Sequence, residues 1–193
     1  MKIGIINYGV GNIKSIYNAF KYLGISIDII EDPRDLKNFD KIILPGVGSF
    51  KYCMETIKRK NFDIEIKNYV NNKKFLLGIC VGMQLLCKSS SEDGLNDGFN
   101  FFDDCVEKFN IDEVNYKEIP HIGFNSVLQN KDSKLFKDFD YNPDFYFIHS
   151  YRVKSKKKNH LYSYFNYGEK FVSAIEKGNI FGVQFHPEKS QLN

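Results

Sequence analysis

The chain has 193 residues, 42% hydrophobic and 16% aromatic, with 27 basic and 24 acidic side chains and a formal net charge of +3. That length suits one domain with a substantial buried core, and the small, mixed charge gives no case for nucleic acid as a partner. No apolar run is long enough for a membrane span, and Asn7 interrupts the start MKIGIINYGVGN too early for a signal peptide.

Cys53, Cys80, Cys87 and Cys105 show neither C-x-x-C pairing nor histidine-rich spacing. That argues against a zinc site and a disulfide framework, and for a thiol-reducing, cytoplasmic setting. The densest basic run, KSKKK at 154–158, reads as a solvated loop.

In chain order, KIGIIN is a strand, and Ile13, Ile16, Tyr17, Phe20 and Leu23 repeat at helical spacing, with Gly24 as the stop. ISIDII and KIILPG (41–46) are the next strands, and a mixed helical region runs to about Val70. KFLLGI is a fourth strand, and CVGMQLLCKSS the helix after it. This alternation predicts an open, twisted, mainly parallel sheet with helices on both faces. Ligands of such sheets sit beyond the carboxyl ends of the strands, so Asn7-Tyr8-Gly9, Pro45-Gly46 and Cys80 should share one rim. The second half reads differently. FYFIHSYRV, HLYSYFNYG, FVSAIEKG and NIFGVQFH are short, aromatic and β-branched, with YGEK and EKGN as turns. They predict antiparallel strands added to the same sheet, within one α/β domain over 1–193.

Gly78-Ile79-Cys80-Val81-Gly82 fits the G-x-nucleophile-x-G elbow, in which a strained strand-to-helix turn exposes the central side chain. The flanking glycines leave no bulk beside the thiol, the Val81 amide aims at a developing oxyanion, and the helix start favours thiolate. Cys53, Cys87 and Cys105 read as packing residues.

A thiol nucleophile needs a base, and the base an orienting group. His121, His149 and His160 read as structural histidines. His186 ends an apolar strand in FGVQFHPEKS, Pro187 is expected to hold the chain extended, and Glu188 at i+2 then points to the same side. Cys80, His186 and Glu188 form the candidate catalytic triad. LPGVGSF (44–50), with Gly46 and Gly48, could turn an amide toward the reacting carbon, although on its own it reads as an ordinary βα turn. NYGVGN is a poor dinucleotide fingerprint, because Lys14 stands where the third glycine belongs.

Taken together, PGVGSF, GICVGMQLL, PHIGFN, HSY and FGVQFHPEKSQ resemble the class I, triad-type glutamine amidotransferases. Within that class they resemble the glutaminase subunits of imidazole glycerol phosphate synthase, from NYGVGNIKS near the start to KSQ at the end. The resemblance implies that Cys80 attacks the glutamine side-chain amide, His186 protonates the leaving ammonia, and Glu188 orients His186. It implies an oxyanion hole at the amides of Val47 and Val81, after a rearrangement of the PGVG backbone that leaves the lone subunit nearly idle. It places Gly48, Gln84, Ser150 and Tyr151 around glutamine; Gln84 also follows from its position one helical turn after Cys80. It calls for no cofactor and no metal.

A glutaminase domain takes up the whole chain, so another protein must use the ammonia before solvent protonates it. The resemblance implies a (β/α)8-barrel cyclase subunit in a heterodimer, with Asn12, Tyr146 and Lys189 at the interface. Val81 stands where the family usually has leucine, and the chain stops at Asn193 where the family continues into a terminal helix. Three alternatives share these residues: a paralogue serving an amidotransferase of surface-polysaccharide sugars, a cysteine hydrolase of peptides or esters, and a non-catalytic module.

Overall fold

The computed structural model describes residues 1–110, 118–155 and 160–190. Most of the basic run at 154–158, and the chain end at Asn193, lie outside them.

The first strand, β1 (Ile3–Ile6), is buried at all four positions, as a strand covered on both faces must be. Asn12 starts α1 (Ile13–Tyr22), its side chain accepting from the Ser15 amide at 3.4 Å, and Gly24 leaves the helix with φ +70. β2 (Asp28–Ile30) and β3 (Lys41–Leu44) pair in parallel on either side of β1. The mixed helical region divides into α2 (Phe50–Arg59) and α3 (Phe62–Asn71), parted at Asn61 in the left-handed conformation. β4 (Phe75–Ile79) pairs in parallel with β3. From β1 to β2 the chain steps one way along the sheet, and from β3 to β4 the other way. Right-handed crossovers then put α1 on one face and α2 with α3 on the opposite one.

The expected helix CVGMQLLCKSS is shorter than its sequence suggests. α4 is Val81–Leu85 alone, and β5 (Cys87–Ser90) takes the remainder. The Leu86 amide closes a tight turn on Met83, and the serines of β5, weak helix formers, enter a parallel pairing with β7 (Phe102–Lys108).

β6 (Asn96–Asp97) and β7 (Phe102–Lys108) follow, then β8 (His121–Ser126), β9 (Asp144–His149), β10 (Tyr151–Lys154), β11 (Leu161–Tyr167), β12 (Glu169–Lys177) and β13 (Ile180–Val183). The main sheet has the order β2-β1-β3-β4-β13-β12-β10-β7-β5-β6, with β11 on β12. The strands β10, β11 and β12 are added antiparallel, as expected.

Two further expectations differ from the structure. β8 and β9 form a separate two-stranded ribbon, and β13 pairs in parallel with β4. FYFIHSYRV is therefore cut at Ser150 between two sheets. The cut has a visible cause: β9 buries Phe145, Phe147 and His149, whereas β10 buries Arg152 and Val153, so the alternation slips there. Among the described residues, no helix is long and apolar enough to cross a membrane.

Candidate active site

The rim at the carboxyl ends of the strands is closely joined. The Tyr8 hydroxyl donates to the Pro45 carbonyl at 2.9 Å, and the Cys80 amide to the Val183 carbonyl at 2.8 Å. Cys80 itself has φ +54 and ψ −113, a conformation rarely held by a residue with a side chain. Such strain costs about 1–3 kcal/mol and persists where the surroundings over-determine it. The surroundings here are main chain. A Cβ on Gly78 would lie 2.6 Å from the Gly82 carbonyl oxygen, and one on Gly82 would overlap the Leu44 carbonyl oxygen. The two glycines thus let α4 fold back on β4 and press onto β3; the space they clear is filled by backbone.

His186 and Glu188 come together by another route than expected. Pro187–Lys189 is a single 3-10 turn, closed by the Lys189 amide on the His186 carbonyl at 3.0 Å. Proline at the first helical position favours such a start, so the carboxylate reaches back over a turn instead of along an extended segment. The result is a 2.8 Å contact between His186 Nδ1 and Glu188 Oε1, with both side chains buried. Burial works against a charged imidazole, but its hydrogen bond with Cys80, and then the one with Glu188, outweigh burial and raise its pKa to about 9. The His186 backbone is clamped as well. Its amide donates to the Tyr146 carbonyl at 2.9 Å, and its carbonyl accepts from the Ser190 hydroxyl at 2.6 Å.

Cys80 and His186 open onto a cleft of about 410 Å³. Val47, Gly48, Val81, Gln84, Ser150, Tyr151 and Lys189, all singled out in the sequence, line it too. Glu188 lies behind His186. Val47 is exposed, and its carbonyl accepts from the Cys53 thiol at 3.5 Å. Gly46 packs against Val81 and the Gly82 amide, so the PGVG turn sits directly on the start of α4. Gln84 donates its Nε2 to the Tyr151 carbonyl and to Gln184 Oε1, both at 3.0 Å, and Gln184 Nε2 stands 3.8 Å from Cys80 Sγ. Asn12 and Tyr146 are outside the cleft: Asn12 caps α1, and the Tyr146 ring lies 5.9 Å from Lys189 Nζ.

Three lining residues, Glu92, Ile148 and His149, were not singled out as site residues. Glu92 sits in SSEDG, which reads as a turn; its Oε2 accepts the Phe50 amide at 2.7 Å, at the start of α2. Burial raises the Glu92 pKa. His149 is buried among aromatic rings, as a structural histidine would be, yet reaches the cleft wall.

The arrangement is a thiol, an imidazole and a carboxylate in sequence at a cleft, which suits acyl transfer through a thioester. Comparison with known proteins agrees. The family described as Glutamine amidotransferase class-I matches residues 4–192. The chain belongs to the class-I glutamine amidotransferases. This amidotransferase is 42% identical to the imidazole glycerol phosphate synthase subunit HisH of Leptospira interrogans, over 99% of its own length and 94% of that protein. It is also 42% identical to the subunit HisH 1 of Campylobacter jejuni strain RM1221, over 98% and 93%. With the chloroplastic imidazole glycerol phosphate synthase hisHF of Arabidopsis thaliana it shares 40% identity, over 97% of this chain but 32% of that one. In fold it is similar to a crystal structure of a glutamine amidotransferase (TM-score 0.76, 16% identity, 97% of this chain and 91% of that one). It is likewise similar to PurLQS from Thermotoga maritima (TM-score 0.74, 20% identity, 97% and 88%).

Proposed function

We propose that this amidotransferase, a single domain over 1–193, is the glutaminase subunit of an imidazole glycerol phosphate synthase, working in the cytoplasm on the histidine pathway. The observation that carries the chemistry is Cys80 and His186 on one cleft, with Glu188 against His186 Nδ1 behind it. Relatives named HisH, matched over nearly their whole length, support the pathway.

In this reading Cys80 passes its thiol proton to His186 as its sulfur bonds to the side-chain amide carbon of glutamine, and the electron pair of the C=O bond moves onto oxygen. The amides of Val81, at the start of α4 where no intrahelical acceptor is available, and of Val47 hold that oxyanion. His186 gives that proton to nitrogen, the oxyanion's electron pair re-forms the C=O bond as the C–N bond breaks, and ammonia leaves behind a thioester. Water, deprotonated by His186, then splits the thioester to glutamate and free thiol. Gly48, Ser150 and Tyr151 surround the amino-acid part of glutamine. Gln84, its Nε2 already engaged, offers the substrate its Oε1.

The ammonia needs a covered route to its acceptor, which supports a cyclase partner of (β/α)8-barrel form seated over the cleft. The outer face of the β8–β9 ribbon fits such a role: Ile122 pairs with Ile148 and Phe124 with Tyr146, and Ile122, Phe124 and Ile148 are exposed. Ile148 belongs to both cleft and patch, and Lys189 and Asn12 complete the interface. The deciding experiment is co-purification with the candidate cyclase, then glutamate release with and without its nucleotide substrate. Low activity alone and a large rise with partner and nucleotide are expected. No rise, or growth without histidine after gene deletion together with loss of a surface glycan, would move the client to a sugar amidotransferase.

A further inference from the structure

Between β9 and β10 the chain passes from one sheet to the other, and Ser150 and Tyr151, which form the cleft wall there, sit at the break. The Phe109 amide holds the Ser150 carbonyl at 3.2 Å. Two side chains hold the Tyr151 carbonyl: Gln84 Nε2 at 3.0 Å and His149 Nδ1 at 2.8 Å. A carbonyl only accepts, so Nδ1 of His149 carries the proton. Burial, and then neighbouring His121, depress the His149 pKa to about 3, so its ring is neutral and Nε2 is an acceptor. His121, its cross-strand partner in the ribbon, places Nδ1 3.0 Å from that Nε2 and is therefore the donor. Asn125 Nδ2 in turn faces His121 Nε2 at 2.9 Å. Every proton in this chain points the same way, from the ribbon to the Tyr151 carbonyl.

We infer that His121 and His149 are a positioning pair for the glutamine site. His149 fixes the Tyr151 carbonyl, and with it the Ser150–Tyr151 wall, while His121 fixes the tautomer that allows His149 to do so. This rests on reading the cleft as the glutamine site. Neither histidine touches the reacting atoms in the proposed chemistry; what they set is where the bound amino acid finds its wall. An apolar pair of the same shape would fill the volume but leave Tyr151 with Gln84 alone. Gln84 also leads, through Gln184, to Cys80 Sγ, so a shifted wall would disturb binding before it disturbed the nucleophile.

The test is glutaminase kinetics of His149→Phe and His149→Asn, each assembled with the cyclase. Phenylalanine keeps the shape without a donor; asparagine keeps an N–H at the position of Nδ1. His149→Phe should raise the KM for glutamine about tenfold with kcat within about threefold, the loss expected for one hydrogen bond. His149→Asn should recover most of that KM. An unchanged KM in the phenylalanine variant, or identical behaviour of the two variants, would overturn the inference. If the phenylalanine variant does not fold, the unaltered protein decides: long-range proton–nitrogen NMR at neutral pH should show His149 as the Nδ1–H tautomer. An Nε2–H form or an imidazolium would overturn the pair. A wild-type complex that releases no glutamate would strike the glutaminase reading instead, and the NMR result would still judge the geometry.

Discussion

The amide of Cys80 donates to the carbonyl of Val183 at 2.8 Å. This bond extends the parallel register in which Ile79 faces Val183, so the first residue beyond β4 is tied to the last residue of β13. Cys80 therefore turns into α4 at the level where the chain leaves β13 toward Gln184 and His186. A separation of more than a hundred residues disappears because two neighbouring strands end together.

That placement separates Cys80 from the other thiols. Burial pushes the Cys53 thiol up, and burial with nearby Asp104 pushes Cys87 well up. Neither forms a thiolate readily. A glutamine-analogue electrophile should label Cys80 alone, with glutamine protecting it, and Cys80→Ala should fold yet release no glutamate. Peptide mapping of the labelled protein gives the answer; label on Cys53, Cys87 or Cys105 would count against the assigned nucleophile.

The raised pKa of His186 gives stability a pH signature. Its ordinary value is 6.5 and its folded value about 9. A raised folded pKa means the folded state binds the proton more tightly, so this contribution is complete below about pH 6.5 and lost as pH rises toward 9. Cys80 is the largest cause of the rise, ahead of Glu188. Cys80→Ala should thus lower the His186 titration, seen by NMR, and shrink the loss of stability across that window in denaturant melts. A His186 titration unmoved by Cys80→Ala would refute the coupling. Glu188→Gln should slow turnover by about 10²–10⁴, through loss of orientation and charge at the general acid.

The elbow and the pairing of His186 with Glu188 could be read from the sequence because each rests on short-range pattern, whereas Val47, Gly48, Ser150 and Tyr151 came only with the family resemblance. Gly-x-Cys-x-Gly lies here between an apolar strand and a helical pattern, which marks the turn, and His186 and Glu188 are two positions apart. What escaped reading depended on distant partners. β5 is a strand because β7 lies beside it, although CVGMQLLCKSS read as one helix. The split at Ser150 follows from a slip in burial that is defined only by two different sheets. Glu92 had no local mark at all: its place on the cleft is set by the Phe50 amide, forty-two positions earlier in the chain.

The packing around the elbow predicts a severe glycine variant. A Cβ on Gly82 has nowhere to go, since the Leu44 carbonyl oxygen occupies its site and belongs to the buried ladder of β3. The main chain of α4 would have to move off β3, taking the Val81 amide with it. Gly82→Ala should cost roughly 3 kcal/mol or more, read as a lower denaturation midpoint, and abolish glutaminase activity even where it folds. Gly48→Ala is a fair contrast: no atom lies within 4 Å of its added Cβ, and only φ +82 opposes it. Its cost should be nearer about 1 kcal/mol. Equal melting points for Gly82→Ala and wild type would contradict the contact.

Glu92 carries the last prediction. Glutamine has an α-ammonium group, and Glu92 is the one carboxylate lining the cleft among the described residues, since Glu188 faces the far side of His186. One Glu92 oxygen is fixed by the Phe50 amide at 2.7 Å, so the carboxylate is held in place at the start of α2. Glu92→Gln keeps an acceptor for that amide but loses the charge. It should raise the KM for glutamine about tenfold or more, leaving kcat and melting temperature close to wild type, because a charged hydrogen bond is worth about 1.5–3 kcal/mol. Glu92→Ala should show the same KM and also lose about 1 kcal/mol of stability with the hydrogen bond from the Phe50 amide. Glutaramate, which is glutamine without the amino group, supplies the control. If Glu92 binds the ammonium, wild type should prefer glutamine strongly and Glu92→Gln should not. A variant that keeps the wild-type preference would show that another group on the cleft wall recognises the amino end.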